Sequence, residues 1–291
     1  MTADIDHTEA GAGSPHLSEA DKKKAHENAT LPAEVIHEIV REEGERQLAR
    51  SANAIWWSGL AAGLSMGFSF VTQAELQVAL PDKPWRPLIA NLGYTVGFAI
   101  VVLGRQQLFT ESTLSAVLPA LTRRTGGAVL ACLRLWAIVL VANIVGTWIF
   151  AAVLAYGQPL SPEAAGALVD IGIDAVTRPF LTVLLSAVFA GWLIALMVWL
   201  LPSSSNIRLL VIVFLAYVVA LGRFSHIIAG STDAAYAFLT AHTSLGRYLI
   251  DFFVPTLIGN TIGGSLLVGL LNHAPVAPEL EKSQSPSGGG R

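Results

Sequence analysis

The stretch LGRFSHIIAGSTDAAY, residues 221–236, decides how the fold of this chain is interpreted. It follows directly on the apolar run LLVIVFLAYVVA and brings Arg223 and His226 into a segment with the composition of a lipid-embedded helix. Ionisable side chains are costly at the depth of a bilayer, so they usually face a cavity, a partner or a substrate path. The stretch therefore marks a candidate functional site inside a membrane.

The composition of the whole chain supports a membrane location. Of 291 residues, 53% are hydrophobic and only 13% are charged, and the formal net charge is -3. Without a basic array or zinc-ligand spacing, the sequence predicts no nucleic-acid partner. No nucleophile–base pair, phosphate loop or metal-ligand cluster is recognisable, so it predicts neither an enzyme nor a cofactor. The single cysteine, Cys132, permits no intrachain disulfide.

The chain divides into four parts. Residues 1–30 are charged and dotted with Gly, Pro and Ser, which predicts a disordered cytoplasmic tail, and residues 273–291 are a second such tail. Residues 31–51 include Pro32 at a good first helical position and carry one apolar stripe, which predicts a cytoplasmic amphipathic helix. That helix either packs on the membrane face or a neighbouring subunit, or is a solvated linker. Residues 52–272 form the transmembrane domain.

About six apolar segments follow one another in this domain, and a spanning helix needs roughly 20 residues. The second, PLIANLGYTVGFAIVVL, and the fifth, IRLLVIVFLAYVVAL, are short, and the dipeptide Gly-Arg ends both. A shorter amphipathic piece follows each, which predicts broken second and fifth helices. Most loop arginines lie on the same side of the membrane as the N-terminal tail. We therefore expect a multi-pass protein of the bacterial inner or plasma membrane with both termini in the cytoplasm.

An internal repeat relates the two halves of the chain. GRQQLFTEST from Gly104 is echoed by GRFSHIIAGST 118 positions later, and ANIVGTW around Asn143 is echoed by GNTIGGS around Asn260. Chance matching in a Gly/Ala-rich chain is the alternative. An odd number of spans in each half makes the repeat inverted, 3+3, and paired interruptions predict a substrate site near the midplane. Unpaired N–H groups at the start of each half-helix would stabilise an anion there.

Across residues 31–271 the chain resembles the formate/nitrite transporter family of small-anion channels. The motifs that carry the resemblance are GRQQLFTEST, ANIVG, FSHIIAG and IGNTIGG, in the family's order and spacing. The resemblance implies an all-α integral membrane protein with six transmembrane helices in an aquaporin-like protomer, assembled as a homopentamer with one substrate pore in each protomer. It also implies a small monovalent anion such as formate, nitrite, hydrosulfide or lactate as the substrate, with protons and the lipid bilayer as further partners.

Carried over by position, the family's pore histidine falls on His226, its broken-helix threonine on Thr110, and its apolar constriction on Leu108 and Phe109. Apolar collars force an ion to shed water, while an imidazole and a hydroxyl offer replacement hydrogen bonds. The alternatives are a His226 that ties two helices together, a Thr110 that caps or back-bonds to the main chain, and a Leu108–Phe109 pair that only packs.

The chain also departs from the family pattern. Ser225 replaces an acidic residue, Gly230 an asparagine, and Gln106 with Gln107 an alanine–glutamate pair, so the chain resembles a divergent member whose substrate can differ. No lysine stands at the start of the fourth span, where Arg178 is only nearby. Each break contains one arginine, Arg105 in the first and Arg223 in the second. Each arginine either faces the solute or has a structural role, which is capping carbonyls or pairing with Glu111.

The sequence therefore predicts a proton-linked pore for a small anion. Burial between apolar collars disfavours an imidazolium, so we expect a neutral His226 that donates a hydrogen bond or a proton to the anion while Thr110 orients it. An aquaporin-like channel for a neutral solute is the alternative function. Dependence of conduction on His226 and on pH distinguishes the two.

Overall fold

The computed structural model of the chain describes residues 18, 20, 22, 31–271 and 274, so the two predicted tails lie almost wholly outside the described residues. Every regular element within the described residues is a helix. The first, α1 (Ala33–Ala49), begins directly after Pro32. It packs on its own protomer, since a Cβ on its Gly44 would lie 1.9 Å from the carbonyl oxygen of Ser115.

Within the described residues, five helices are long and apolar enough to cross a membrane. They are α2 (Ala52–Ala79), the pair α3 (Arg86–Ala90) and α4 (Thr95–Leu103), α7 (Gly126–Gly157), α9 (Phe180–Leu200), and a final span over Leu245–Gly269. The final span comprises α12 (Leu245–Arg247), a π-helix (Tyr248–Phe253), α13 (Val254–Thr261) and a second π-helix (Ile262–Leu270). The remaining apolar helix, α10 (Arg208–Leu221), has 14 residues and is too short to span the bilayer alone.

Both predicted helix breaks are present. At the first break, α4 ends at Leu103, and α5 (Phe109–Ser115) begins after an extended connection and is followed by α6 (Val117–Arg123). At the second break, α10 ends at Leu221 and α11 (Ala229–Leu239) begins after a similar connection. The two Gly-Arg dipeptides have matching backbones, because φ is 50° at Arg105 and 51° at Arg223. This left-handed conformation is a common helix ending, although glycine adopts it more readily than arginine.

One element was not anticipated from the sequence. Helix α8 (Pro162–Thr177) lies between the third and fourth spans, capped by Ser161, whose hydroxyl accepts a hydrogen bond from Ala164 N–H at 3.2 Å. It packs against α2 and α11, and a Cβ on Gly172 would lie 2.5 Å from the carbonyl oxygen of Asp233. The helix thereby reaches the second break of the bundle.

Two glycines allow spans to approach closely at equivalent places. A Cβ on Gly63 of α2 would lie 2.1 Å from the carbonyl oxygen of Asn143 on α7, and one on Gly191 of α9 would lie 2.3 Å from that of Asn260 on α13. Small residues let backbones meet in this way inside a membrane. Each close approach therefore brings an asparagine-bearing span against its neighbour, next to a helix break.

Candidate functional site

Two polar side chains meet in the interior of the bundle. The Thr110 hydroxyl and Nε2 of His226 are 2.8 Å apart, although 116 positions separate the two residues in the sequence. Thr110 is fully buried and His226 is 2% exposed. Thr110 lies at the start of α5 and His226 just before α11, so the two breaks converge on this contact. The structure thus brings together the threonine and the histidine that the sequence analysis selected.

The hydrogen bonds of the His226 ring assign its tautomer. The backbone N–H of Ala229 donates to Nδ1 at 3.2 Å, so Nδ1 is an acceptor and the proton of the neutral ring sits on Nε2. Nε2–H therefore donates to the Thr110 oxygen. The hydroxyl proton of Thr110 has no acceptor among the described residues.

Apolar side chains enclose this pair. The ring of Phe98 meets the imidazole edge-on, with centroids 5.0 Å apart. Leu108 is fully buried and Phe109 is 2% exposed, and Phe109 packs edge-on against Trp136 with centroids 6.0 Å apart. The three residues Leu108, Phe109 and Thr110 are consecutive, so the apolar residues directly precede the hydroxyl.

Asn143 holds the first break open. This fully buried side chain on α7 accepts a hydrogen bond from Phe109 N–H at 2.9 Å. Its amide donates to the carbonyl oxygens of Gly59 at 2.7 Å and Gln107 at 3.0 Å. Breaking a helix strips main-chain groups of their partners, and a bilayer offers no water to replace them. One side chain therefore bonds to three main-chain groups, of which the Phe109 N–H and the Gln107 carbonyl belong to the break.

Asn260 does the same at the second break. It accepts from Ile227 N–H at 2.8 Å and donates to the carbonyl oxygens of Ala187 at 2.8 Å and Ser225 at 2.9 Å. The sequence analysis paired the two asparagines through the repeat without giving them a role. The signal that could have revealed it was their position in matching motifs, each in the span after a break.

The amide groups at the start of the half-helices are partly occupied. Phe109 and Ile227 donate their N–H groups to the asparagines, and Ala229 donates to His226. Other N–H groups of these first turns, such as that of Thr110, have no acceptor within the described residues. That free N–H groups here hold an anion stays a prediction, and the side chains of Thr110 and His226 add two donors beside them.

A cavity of about 370 Å³ reaches His226 from one side, and we call it the α8 vestibule. Charged residues on its wall are Asp170, Asp174, Arg178, Arg223 and Asp233. Arg223 is exposed and forms an ion pair with Asp174, while Arg178 Nη1 donates to the carbonyl oxygen of Arg223 at 2.7 Å. The sequence analysis identified neither the vestibule nor the three aspartates, because these residues lie on two helices and meet only through the fold.

A second cavity, of about 330 Å³, lies under α1, and we call it the α1 vestibule. Arg208, at the start of α10, lines the α1 vestibule, and Arg223, just beyond the end of that helix, lines the α8 vestibule. The two cavities therefore lie at opposite ends of α10. Arg105 and Glu111 both line the α1 vestibule without forming an ion pair. Pairing with Glu111, one of the alternatives for Arg105, is therefore not formed, and Glu111 Oε1 is buried without a hydrogen-bond partner.

Residues 33–274 match the family model described as "Formate/nitrite transporter". The chain belongs to the formate/nitrite transporter family. The resemblance found in the sequence is thereby confirmed, and the family is one of membrane transporters and channels rather than enzymes. The chain is an integral membrane protein with several apolar helices.

Individual relatives differ in how close they are. The inner membrane protein YfdC of Escherichia coli (strain K12) is 38% identical over 268 residues, covering 91% of this chain and 86% of that protein. The formate channel FocA of Haemophilus influenzae is 24% identical over 245 residues, covering 74% of this chain and 84% of that protein.

Two solved structures share the fold of this chain. One, described as a pentameric formate channel with formate bound, has a TM-score of 0.67 at 19% identity and covers 78% of this chain and 98% of its own. The other, an "FNT family ion channel", has a TM-score of 0.72 at 20% identity and covers 82% of this chain and 98% of its own.

Proposed function

We propose that this protein conducts a small monovalent anion, linked to protons, through a pore in each protomer. The observation that carries the proposal is the Thr110–His226 hydrogen bond, which lies where two broken helices converge. A channel needs replacement hydrogen bonds at the point where its ion sheds water. One imidazole N–H and one hydroxyl proton meet that requirement between apolar neighbours.

The architecture that we propose is six spans in an inverted 3+3 repeat. Three pairs of features support it: the two breaks, the left-handed arginines Arg105 and Arg223, and the asparagines Asn143 and Asn260 with equivalent hydrogen bonds. In this arrangement α10 and α11 together make the fifth span. Irregular backbone at membrane depth requires cover by protein or a cavity, which the asparagines and the α8 vestibule supply.

Proton linkage follows from the two roles available to the imidazole. An anion that reaches Thr110 accepts the free hydroxyl proton, and Nε2–H of His226 lies 2.8 Å from that same hydroxyl. If a proton from the solvent binds Nδ1 as the Nε2 proton passes to an anion oriented by Thr110, the ring stays neutral and the solute crosses the apolar layer as a neutral acid. A carboxylate without its proton would face the Phe98, Leu108 and Phe109 side chains, where an uncompensated charge is costly.

Uptake by proteoliposomes tests the proposed function. We expect formate, nitrite, acetate or lactate to enter faster when the external pH is lowered, because protons then accompany the anion. Radiolabelled or fluorescence-reported uptake of this panel, with and without a pH gradient, is the measurement. Empty liposomes and liposomes tested with glycerol are the controls. Glycerol or water flux without anion flux would favour the neutral-solute channel instead.

We expect the purified protein to be a pentamer, as the family resemblance implies. Small-residue faces such as those at Gly63 and Gly191 pack within the protomer, so they do not support this expectation. Exposed apolar side chains such as Leu130 and Leu133 on α7 are covered either by lipid or by another protomer. Native mass spectrometry should show five copies of the 30.8 kDa chain. A stable monomer or dimer in the same detergent would contradict the proposed assembly.

A further inference from the structure

The α1 vestibule carries an excess of positive charge. Four arginines and two glutamates line it: Arg46, Arg50, Arg105, Arg208, Glu43 and Glu111. Arg46 is neutralised by Glu43, since its Nη2 lies 2.7 Å from Oε2 of that residue. No carboxylate among the described residues lies within 4.0 Å of the other three guanidinium groups. The wall of the cavity therefore bears three cations that no acid of the described chain pairs with.

The hydrogen-bond donors of these arginines are also incompletely used. Arg50 donates to the Gln107 side chain at 3.2 Å and to the carbonyl oxygen of Ala54 at 3.4 Å. Arg208 Nε is buried and has no hydrogen-bond partner. Arg105 is exposed to the cavity and makes no side-chain hydrogen bond within the described residues. A guanidinium has five donors, and a buried donor without a partner costs free energy, so this wall favours an oxygen-rich anion.

The opposite cavity carries no excess of positive charge. Three aspartates and two arginines line the α8 vestibule, and its Arg223 is already paired with Asp174. Arg178 offsets one of the other two aspartates, which form no ion pair within the described residues. The α1 side is therefore expected to attract a permeating anion more strongly than the α8 side, because low-dielectric walls strengthen the effect of its arginines.

We propose that the α1 vestibule contains a binding site for a small carboxylate or related oxyanion, separate from the Thr110–His226 contact. Arg105 and Arg208 hold the anion, and Arg50 completes the site from α1. Arg50 also bonds to Gln107, which directly precedes Leu108, so the site adjoins the apolar layer of the pore. The role of this site in collecting the permeant anion rests on the proposed function, whereas its ability to bind an anion does not.

Equilibrium binding of formate tests the site apart from transport. The protein carrying His226→Phe, whose pore contact is removed, is placed in phosphatidylcholine nanodiscs that contain no competing anionic lipid. Titration calorimetry with sodium formate at low ionic strength should still detect binding. Adding Arg105→Gln and Arg208→Gln should weaken that binding about tenfold or more, because hydrogen bonds to charged groups are the strong ones. In the His226→Phe protein without the arginine substitutions, raising the salt concentration should also weaken formate binding.

The matched control is Arg124→Gln, which removes the same charge from an exposed residue outside the vestibule and should leave formate binding unchanged. Equal formate affinity in the Arg105→Gln/Arg208→Gln protein and in this control would overturn the site. So would a complete loss of binding on His226→Phe alone, since the pore would then be the sole site. Anion uptake by the wild type, as measured above, separates this outcome from a failure of the proposed function.

Discussion

Replacing His226 by phenylalanine is expected to abolish the dependence of anion flux on pH. In the wild type, flux should rise as the pH on the side of the anion falls, because a proton passing through the imidazole neutralises the solute in the apolar layer. Phenylalanine keeps the ring against Phe98 and removes both nitrogens. Initial rates of formate uptake between about pH 5 and 8, the range in which an unperturbed histidine changes charge, are the measurement.

Two further variants separate proton transfer from packing. His226→Gln keeps a donor near Thr110 without a titrating group, so we expect flux with a flat pH profile.

Thr110→Val removes the hydroxyl and should slow uptake about 5- to 10-fold, as one net hydrogen bond is worth roughly 1 kcal/mol, while the shape of the pH profile is kept. Size-exclusion chromatography must show normal assembly in each case. An unchanged pH response in well-assembled His226→Phe protein would make the histidine a packing residue.

The parts of the fold that the sequence predicted have local causes. Gly-Arg ends both short apolar segments, and the structure places the helix ends at Leu103 and Leu221, directly before those dipeptides. The helix α1 begins at Ala33, one residue after the Pro32 that was predicted as its first residue, because the extended backbone of Pro32 (ψ 155°) makes it the cap. The Thr110–His226 contact was found through the family motif, since no local pattern joins two residues 116 positions apart.

The parts that the sequence did not predict depend on tertiary contacts. Helix α8 is too short to span a membrane, and its burial comes from α2 and α11, which a hydropathy pattern does not show. Arg105 and Glu111 are six positions apart and have opposite charges, yet they make no ion pair, because Arg105 stands outside the helix with a left-handed backbone. The charge balance of each vestibule is likewise set by residues from several elements.

The second large effect is expected at the asparagines. Asn143→Leu and Asn260→Leu keep a branched side chain of four heavy atoms but remove all three hydrogen bonds in each case. One N–H and one carbonyl oxygen at the break then have no partner, whereas the carbonyl oxygens of Gly59 and Ala187 lie inside helices and keep their helical hydrogen bonds. A buried unsatisfied group costs about 1–3 kcal/mol, so two of them are a large part of the whole stability of an ordinary domain, about 5–15 kcal/mol. We expect loss of uptake and a strongly lowered melting temperature in detergent for both variants.

The control and the conservative replacement make this prediction specific to the breaks. Asn53→Leu, at an exposed position early in α2, changes the same chemistry away from any break and should melt like the wild type. Asn143→Asp keeps the acceptor for Phe109 N–H but puts a carboxylate oxygen against two carbonyl oxygens, so its melting temperature should fall at least as far as that of Asn143→Leu. If Asn143→Leu melted and transported like Asn53→Leu, the bent backbone would be held by its own packing. Equivalent losses in Asn143→Leu and Asn260→Leu would instead support the inverted repeat, because each half would then depend on the same three hydrogen bonds to keep its broken helix open.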